Sequence, residues 1–496
     1  MAAPLALFRC DASPLIGAGH VMRCLALAEW LREAGWRIGF AVGKETVPTV
    51  PALAASGFRL CVLSDEEPEP EALHEQVSGR ADLLVVDHYK RNAAFETSCR
   101  SFANKILVLD DATGRDHDCD IVVDAAASNE ECYAGHVPAH ARVLTGLAYA
   151  LVRRSFATHR EMSLARRDGR PVQEILVSCG ATDPGNATAA ALESLNDVAN
   201  NISSIVVLSS RAPNIDAVRR QLHGKARLLT DVQDMAELMT NADLAIGASG
   251  STAYERAVVG LPSILVTVAD NQRGIARRMT ESGAALDGGM LDRGLVARLR
   301  TLLASLLSDP ALRRHLAQAA SALVDGRGAL RIALAILDDE TAKDGAQVRL
   351  RMALIEDEKW LLDLQQQPQT RRYSRNPAIP GTEEHRSWIR RTLANPDKLL
   401  FIIEANGVSV GTARLDRLAD EDGLARHDVS IAIHPDFYDR GFGLAALRLV
   451  RALVPGAVLD ATIFPENRAS LALFSSAGFI ALAPDLYRNR PNHRLS

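Results

Sequence analysis

The chain of 496 residues has few cysteines, few aromatic residues and no long apolar run. Its seven cysteines all lie before residue 180, at irregular spacings and without a CxxC pair. Disulfide frameworks and zinc sites need regular spacings, so we expect reduced, mostly buried thiols in a cytoplasmic protein. No segment approaches the ~20 apolar residues of a transmembrane helix, and no basic region precedes the short apolar run at the N-terminus. We expect neither a targeting signal nor a membrane partner.

The sequence also lacks an excess of positive charge. Lys and Arg number 56 against 61 Asp and Glu, which gives a net charge of −5 and disfavours nucleic acid as a partner. The 13 histidines are scattered along the chain and form no HxH pair, so we expect no metal site. The hydrophobic fraction of 47% and the charged fraction of 24% are typical of globular proteins, and the length predicts two or three domains.

Short apolar runs alternate with helix-length stretches over the first two thirds of the chain. PLALF, RIGFAV, DLLVVD, KILVLD and DIVVD form one series, and EILVSC, SIVVLSS, DLAIGA and SILVTV form a second. This alternation predicts two α/β halves with parallel sheets, over residues 1–155 and 156–338. A tandem pair of this kind places a ligand cleft between the halves. The alternative is two Rossmann-like domains that share no site.

The pattern changes after the polar segment 339–347, which we interpret as a linker. The stretch FIIEANGVSVGTARL predicts two antiparallel strands joined at Asn406-Gly407. A later strand leads into a turn marked by glycines and then a helix. Residues 348–496 therefore predict a separate α+β domain.

The first candidate site is the segment GAGH, between the first strand and a helix. Gly17 and Gly19 let the backbone approach a ligand, and His20 at the helix start could accept a proton from water. The alternative is that His20 only caps the helix. Met22 occupies the third glycine position of GxGxxG, so this is not the dinucleotide fingerprint. The other candidate substrate contacts around this segment are Arg9, Asp11 and Arg23.

The second half has a loop of small residues, again between a strand and a helix. Its backbone amides and hydroxyls could surround a phosphate, and Glu255, one turn into the helix, could accept hydrogen bonds from ribose. Two further strand-end loops converge on this edge, although Asp183 is more readily interpreted as a helix cap. The candidate contacts for a phosphate and ribose in this half are Gly180, Asp183, Ser249, Gly250, Ser251, Thr252, Glu255, Asn271 and Gln272.

Several motifs occur in the order found in one enzyme family. RCDAS, IGAGHVMRCLALA, LDDATGRDHDCD, SCGATDP, GASGSTAYERAVVGLPS and ADNQ together resemble the PseG family over about residues 4–335. The resemblance implies a GT-B-like, MurG-like pair of Rossmann-like domains. It implies hydrolysis of a UDP-linked 2,4-diacetamido-2,4,6-trideoxy sugar, with His20 as the catalytic histidine and the Ser249–Glu255 loop on UDP. Cys179 and Ala181 depart from the family pattern, which often has an aromatic residue and glycine there.

The C-terminal domain resembles the GNAT acetyltransferases over about residues 348–490. Their loop reads Q/R-x-x-G-x-G/A, and Gly441 and Gly443 fit it, whereas Tyr438 replaces its first residue. The resemblance implies acetyl-CoA as co-substrate, and a carboxylate, Asp428, that deprotonates an amine through water. The alternative is that Asp428 is a strand-end residue paired with Arg426 on the surface. Phe474 stands where the family often has a tyrosine acid, so we expect water or Tyr487 to protonate the thiolate. The candidate coenzyme contacts are Tyr438, Arg440, Gly441, Phe442, Gly443, Asn467, Ser470 and Phe474.

The two resemblances together predict a bifunctional enzyme of pseudaminic acid biosynthesis. A GNAT enzyme of the PseH type acetylates a UDP-4-amino sugar immediately before the PseG step. Three alternatives remain open at this point: a glycosyltransferase on the same fold, a nonenzymatic acetyl-CoA sensor, and the same chemistry on a legionaminate-type sugar. The number of subunits is left undetermined.

Overall fold

The computed structural model describes residues 3–64, 69–77, 79–199 and 201–491. Its contacts divide the chain into two compact units. One consists of Leu5–Trp30 and Ile38–Ile332, and the other contains Leu31–Arg37 and the chain from Ala333 onward. None of the helices in the described ranges is long and apolar enough to cross a membrane. All seven cysteines are free and five of them are buried, which confirms the predicted burial of most of them.

The first half of the larger unit is built on a seven-stranded sheet with helices between its strands. The strands are β1 (Leu5–Cys10), β2 (Arg37–Val42), β3 (Arg59–Val62), β4 (Ala81–Asp87), β5 (Ala103–Leu109), β6 (Ile121–Asp124) and β7 (Arg142–Thr145). The helices are α1 (Gly19–Glu33), α2 (Thr46–Thr49), α3 (Pro51–Ala55), α4 (Glu69–Glu75) and α5 (Ala93–Cys99), with short 3₁₀ turns at Glu130–Tyr133 and Leu147–Tyr149. The strand order is β3-β2-β1-β4-β5-β6-β7.

The second half repeats this design with a six-stranded sheet in the order β10-β9-β8-β11-β12-β13. Its strands are β8 (Glu174–Ser178), β9 (Ser203–Leu208), β10 (Ala226–Thr230), β11 (Leu244–Ala248), β12 (Ser263–Thr267) and β13 (Leu286–Met290). Its helices are α6 (Arg154–Ala165), α7 (Ala187–Val198), α8 (Ile215–Gln221), α9 (Met235–Asn241), α10 (Thr252–Val258), α11 (Arg273–Glu281), α12 (Leu295–Ser308), α13 (Pro310–Leu323) and α14 (Gly328–Ile336), with a 3₁₀ turn at Asp270–Gln272.

The predicted pair of α/β halves is confirmed by these two sheets. The apolar runs form strands because helices cover both faces, which leaves central residues such as Leu84, Val85 and Ile246 fully buried. All strand pairs of the second sheet are parallel. Four of its helices begin directly after a polar residue, namely Asn186, Asn214, Asp234 and Ser251.

The C-terminal domain is an eight-stranded sheet in the order β14-β15-β16-β17-β18-β19-β21-β20. Its strands are β14 (Glu340–Thr341), β15 (Gln347–Met352), β16 (Lys398–Ala405), β17 (Val408–Glu421), β18 (Leu424–Ile433), β19 (Val458–Thr462), β20 (Ile480–Ala481) and β21 (Leu486–Asn489). Its helices are α15 (Glu358–Gln366), α16 (Pro368–Arg371), α17 (Thr382–Ala394), α18 (Phe442–Leu453) and α19 (Arg468–Ser476), with 3₁₀ turns at Ile355–Asp357 and Pro435–Phe437.

Two turns of this domain bear on the sequence predictions. Asn406 and Gly407 both have positive φ, 47° and 81°, and join β16 to β17, which confirms the predicted hairpin. The segment 339–347, interpreted from its polarity as a linker, instead contains β14 and the turn to β15. Two alanines at the ends of this turn, Ala342 and Ala346, are buried against the domain.

Candidate functional site

The candidate residues of the larger unit lie at the switch points of its two sheets. In each sheet the chain order reverses at the centre, between β1 and β4 and between β8 and β11. Loops leaving these strands in opposite directions open a crevice at the carboxyl edge, where ligands of α/β proteins bind. GAGH follows β1, and the loop at Ser249 follows β11. A Cβ added to Gly19 would lie 3.7 Å from Ser251 Oγ, so the two loops face each other.

His20 is held by a buried carboxylate that the sequence analysis missed. Its Nδ1 lies 2.5 Å from Asp87 Oδ1, at the end of β4, and Asp87 is fully buried. Arg23 donates to both oxygens of Asp87 at 2.6 Å. Burial opposes ionisation, but Arg23 and His20 keep the pKa of Asp87 well below its usual range. Since ionised Asp87 accepts the Nδ1 proton, Nε2 is the nitrogen left to take a proton.

The residues around Arg23 link the two halves. Arg23 also donates to Asp111 at 3.0 Å, and Asp111 accepts a hydrogen bond of 2.7 Å from the Tyr89 hydroxyl. Asn271, from the second half, donates its amide to the same hydroxyl at 2.8 Å. The Tyr89 ring stands edge-on to His20 at 4.7 Å between centroids. His20 thus lies within reach of groups from both halves.

Arg9 and Asp11 form a second ionic network at this edge. Arg9, which is 2% exposed, donates to both oxygens of Asp11 at 2.7 and 2.9 Å and to Glu69 at 2.5 Å. Asp11 also accepts from the backbone of Gly43 at 2.6 Å and contacts His88 Nε2 at 3.0 Å. Both predicted substrate contacts are therefore engaged within the protein itself. Gly17, with φ of 77°, permits the turn back towards Ser13.

The loop of the second half consists of small polar residues supported from beneath. Ser249 is fully buried, 3.4 Å from the Thr267 hydroxyl, and the Thr252 hydroxyl accepts from Arg256 at 3.2 Å. Arg256 is itself 1% exposed and donates to the Ala248 carbonyl at 2.7 Å.

Gln272 supports the same loop from its other side. It accepts a hydrogen bond of 3.1 Å from the Val268 amide, and its Nε2 would lie 3.5 Å from a Cβ added to Gly250. The predicted contacts Ser249–Thr252, Asn271 and Gln272 thus lie along one edge.

Glu255 is buried one turn into α10. Burial raises its pKa to about 7, although the positive charges of Arg153 and Arg256 oppose the rise. A carboxyl group of this kind is partly protonated at neutral pH and ionises more fully when hydroxyl donors reach it. This is the behaviour expected of a carboxyl group that accepts hydrogen bonds from a ligand.

Two other predicted contacts have simpler roles in the structure. Asp183 accepts hydrogen bonds from the amides of Ala187 at 2.9 Å and Thr188 at 2.8 Å, so its carboxylate caps α7. Gly180 has φ of 109°, and a Cβ added there would meet no atom within 4 Å. The residue lies beside open space at the end of β8.

The central feature of the C-terminal domain is a fork between two parallel strands. The pairing of β18 with β19 covers Arg426–Asp428, after which β18 continues beside β17 and β19 beside β21. Asp428 stands at the point of separation. Arg375 donates to Asp428 at 3.0 Å and to the Thr462 hydroxyl at 2.9 Å. Burial raises the pKa of Asp428 despite this pairing, which makes its carboxylate more basic.

The alternative partner for Asp428 was Arg426, and that expectation is wrong. Arg426 instead donates to Asp460 at 2.7 Å. Asp460 is the residue of β19 directly opposite Asp428.

The predicted coenzyme loop leads from β18 into α18. Gly441 has φ of 89° and precedes the first residue of the helix, Phe442, which is buried. Arg440 lies over the Phe442 ring at 4.9 Å, and Tyr438 is 45% exposed. A Cβ on Gly443 would meet Leu473 of α19 at 3.0 Å, so this glycine allows the two helices to pack closely.

The remaining candidates of this domain lie on α19 and β21. Asn467 caps α19 by accepting from the Ser470 amide at 3.1 Å. Phe474 is buried and packs edge-on against Phe479 at 4.9 Å, as a core residue does. Tyr487 is half-buried on β21 and pairs with Ala461, the residue of β19 directly after the fork.

The sequence analysis missed Asp87, Tyr89 and Arg375. Asp87 is the last residue of the run DLLVVD, and a carboxylate at the end of a central parallel strand is a signal that could have identified it. Arg375 lies between α16 and α17, far in sequence from Asp428, so nothing local indicated their contact. Among the described residues, no group of three or more His, Cys, Asp or Glu side chains has the arrangement of a metal site.

Comparison with known proteins assigns each part to relatives. The family described as acetyltransferase (GNAT) domain matches residues 347–480. The spore coat polysaccharide biosynthesis protein SpsG of Bacillus subtilis (strain 168) is 27% identical over 329 residues, 65% of this chain and 94% of SpsG. The UDP-2,4-diacetamido-2,4,6-trideoxy-beta-L-altropyranose hydrolase of Campylobacter jejuni subsp. jejuni serotype O:2 is 26% identical over 285 residues, 56% of this chain and 96% of that protein.

Among solved structures, MurG of Acinetobacter baumannii aligns with 66% of this chain and 98% of its own, at 16% identity and a TM-score of 0.46. The predicted order of parts is confirmed by the sequence relatives and by the GNAT family match. The N-terminal part of the chain is thus homologous to a UDP-sugar hydrolase of the PseG type, and the C-terminal part is a GNAT domain.

Proposed function

We propose that this chain is a bifunctional enzyme that acetylates a UDP-linked 4-amino-4,6-dideoxy sugar and then hydrolyses the product to UDP and a free 2,4-diacetamido sugar. The GNAT domain would perform the first reaction with acetyl-CoA, and the larger unit would perform the second. The observation that carries the proposal is the pair His20 and Asp87 at the switch point of the first sheet, in a part homologous to a hydrolase of such a sugar.

In the hydrolysis we propose, a water oxygen attacks the anomeric carbon while the bond from that carbon to the β-phosphate oxygen breaks. UDP leaves with the electron pair. His20 Nε2 takes the water proton, and ionised Asp87 stabilises the resulting imidazolium through Nδ1. The Ser249–Thr252 loop would hold the diphosphate with hydroxyls and backbone amides, and Glu255 would accept from the ribose hydroxyls.

In the acetyl transfer we propose, the sugar amine attacks the thioester carbonyl, a carbon–nitrogen bond forms and the carbon–sulfur bond breaks. Asp428, at the strand fork and with a raised pKa, would accept the amine proton through water. Phe474 cannot donate a proton, so water or Tyr487 would protonate the CoA thiolate. Arg375 would hold Asp428 in place between the separating strands.

A labelled-water experiment tests the hydrolysis. The full chain is incubated with the diacetamido UDP-sugar in H₂¹⁸O, and UDP is analysed by mass spectrometry. Attack at the anomeric carbon leaves UDP unlabelled, whereas attack at phosphorus labels it. Unlabelled UDP with free sugar supports the proposal. Transfer of the sugar only to an added acceptor, without hydrolysis, would instead establish the glycosyltransferase alternative.

A second experiment tests the acetyl transfer and the sugar. The full chain receives acetyl-CoA with UDP-4-amino sugars of pseudaminate-type and legionaminate-type configuration, and thiol release is followed. We expect release with the pseudaminate-type sugar, and Asp428→Asn should lower kcat by roughly 10²-fold or more. Asp422→Asn, in the turn between β17 and β18, is the matched control. CoA binding without turnover of any amino sugar would indicate a sensor, and a preference for the other configuration would reassign the pathway.

A further inference from the structure

The turn between β14 and β15 lies against the predicted coenzyme loop. The turn is closed by hydrogen bonds from the Ala342 amide to the Ala346 carbonyl at 2.9 Å and from the Gly345 amide to the Ala342 carbonyl at 3.0 Å. Asp344 Oδ1 accepts from the Ala346 amide at 3.1 Å. This leaves the second oxygen of Asp344 to meet Arg440 Nε at 2.6 Å.

The backbones of the turn and of the predicted coenzyme loop are also in close contact. A Cβ added to Gly441 would lie 2.7 Å from the backbone nitrogen of Lys343, nearer than real Cβ atoms approach. Because backbone cannot move aside as a flexible side chain can, position 441 must be glycine for the turn to dock. Gly441 therefore serves the hairpin as well as any coenzyme, and its substitution would disturb both.

The hairpin holds Arg440 in a defined place. The guanidinium is fixed by Asp344 on one side and lies over the rings of Phe442 at 4.9 Å and Phe437 at 5.8 Å. Farther along α18, Glu340 and Arg448 approach to 3.6 Å. The hairpin thus runs beside α18 from the loop towards its middle.

Lys343 places a positive charge beside the predicted coenzyme loop. It is exposed at the tip of the turn, and its backbone touches Gly441 at the start of α18, a helix of 12 residues. The coenzyme carries a pyrophosphate and a ribose phosphate, and an ammonium group beside a helix N-terminus stabilises such anions.

We propose that the hairpin leading into the GNAT domain completes the coenzyme site, with Lys343 contacting a phosphate of acetyl-CoA and Asp344 positioning Arg440. The inference rests on the proposed function, because it assumes that the loop at Tyr438–Gly443 binds the coenzyme. It assigns a ligand contact to a segment that its sequence suggests is only a connection.

Calorimetry with CoA on the full chain tests the proposal. Lys343→Gln and Asp344→Asn should each weaken CoA binding about three- to tenfold, the effect of losing an exposed charge contact. In steady-state assays both variants should raise KM for acetyl-CoA and leave kcat unchanged. Asp344→Glu should restore most of the affinity, because it restores the negative charge to Arg440. The matched controls are Lys359→Gln and Asp339→Asn, which should bind CoA as the unmodified chain does.

Dephospho-CoA identifies the phosphate. If the Lys343→Gln effect disappears with dephospho-CoA, Lys343 contacts the 3′-phosphate, and if it persists, Lys343 contacts the pyrophosphate. Unchanged CoA affinity in both variants would overturn this inference while leaving the proposed function intact. Failure of the unmodified chain to bind CoA would instead overturn the proposed acetyl transfer.

Discussion

The two halves of the larger unit have the same sheet design, yet their strands end in different chemistry. Four of the seven strands of the first sheet end in a carboxylate or are followed directly by one, and five of the six strands of the second end in a hydroxyl residue or are followed directly by one. The carboxylates are Asp11, Asp87, Asp110 and Asp124, and the hydroxyl residues are Ser178, Ser209, Thr230, Ser249 and Thr267. Both sets lie at the carboxyl edge, where a ligand of either half would bind.

Charge explains the difference. Buried carboxylates need cations, and the first half supplies Arg9, Arg23 and Arg115 as ion-pair partners. Such fixed ion pairs orient His20 before any substrate arrives. A diphosphate would be repelled by a row of carboxylates, whereas hydroxyls and amides can donate hydrogen bonds to it. This difference supports the proposal that the first half transfers the proton and the second binds the nucleotide.

Removal of His20 is the most direct test of the different roles proposed for the two halves. His20→Ala should lower UDP release by several hundredfold or more, since general base catalysis contributes roughly 10²–10⁴-fold. UDP affinity, measured by calorimetry, should stay unchanged because the proposed UDP contacts lie in the second half. His140→Ala, which alters an exposed histidine of the same half, is the control. Near-normal hydrolysis by the His20 variant would remove this residue from the mechanism.

Asp87→Asn tests whether the carboxylate acts through His20. We expect kcat to fall about 10²–10³-fold, because an amide no longer fixes the Nδ1 proton or stabilises the imidazolium. The pH profile of kcat should shift, an effect that a purely structural role would not produce. Asp118→Asn, which alters an ion pair with Arg100, serves as the control. An unchanged pH profile of kcat together with a lower free energy of unfolding would assign Asp87 to stability alone.

His117 provides a test of the buried ions in the first half. Burial opposes its protonation, but hydrogen bonds to Asp110 and Glu96 raise the pKa of His117 to about 9. Because the folded pKa lies above the usual 6.5, this stabilisation is complete below pH 6.5 and is lost as pH rises through about 9.

The unfolding free energy of the unmodified chain should therefore fall by about 2 kcal/mol more than that of His117→Gln between pH 6.5 and 9. Denaturant unfolding at several pH values measures the difference. His223→Gln, an exposed histidine of the second half, should behave like the unmodified chain. Parallel pH curves for the His117 variant and the unmodified chain would show that the buried histidine is not charged.

Glu255→Gln tests the role proposed for the second half, the binding of the nucleotide. Burial raises the pKa of Glu255 to about 7, so its carboxylate form becomes available to ribose hydroxyls as pH rises through 7. The substitution should weaken UDP binding about tenfold, or about 1.5 kcal/mol, at pH 8 and much less at pH 6. Calorimetry at both pH values measures this, with Glu237→Gln as control. A loss of equal size at both pH values would contradict the ionisation of Glu255 as its cause.

The sequence predicted the strands, the two halves and the motif loops because each depends on local patterns. The apolar runs, the glycines of GAGH and the Asn406-Gly407 turn each specify local structure within a few residues. The sequence did not show which segments pair as neighbouring strands. Polarity suggested a linker at 339–347, yet a short strand and two buried alanines place this segment on the domain.

By itself, the sequence determined where His20, Glu255 and Asp428 stand relative to their strands and helices, because hydrophobic periodicity and glycine positions are properties of neighbouring residues. Only the tertiary structure decided that Asp87 contacts His20, Arg375 contacts Asp428 and Asp344 contacts Arg440. These pairs are 67, 53 and 96 residues apart. The order of strands in a sheet brings such residues together. The sequence around a charged residue does not identify its partner when that partner is distant in the chain.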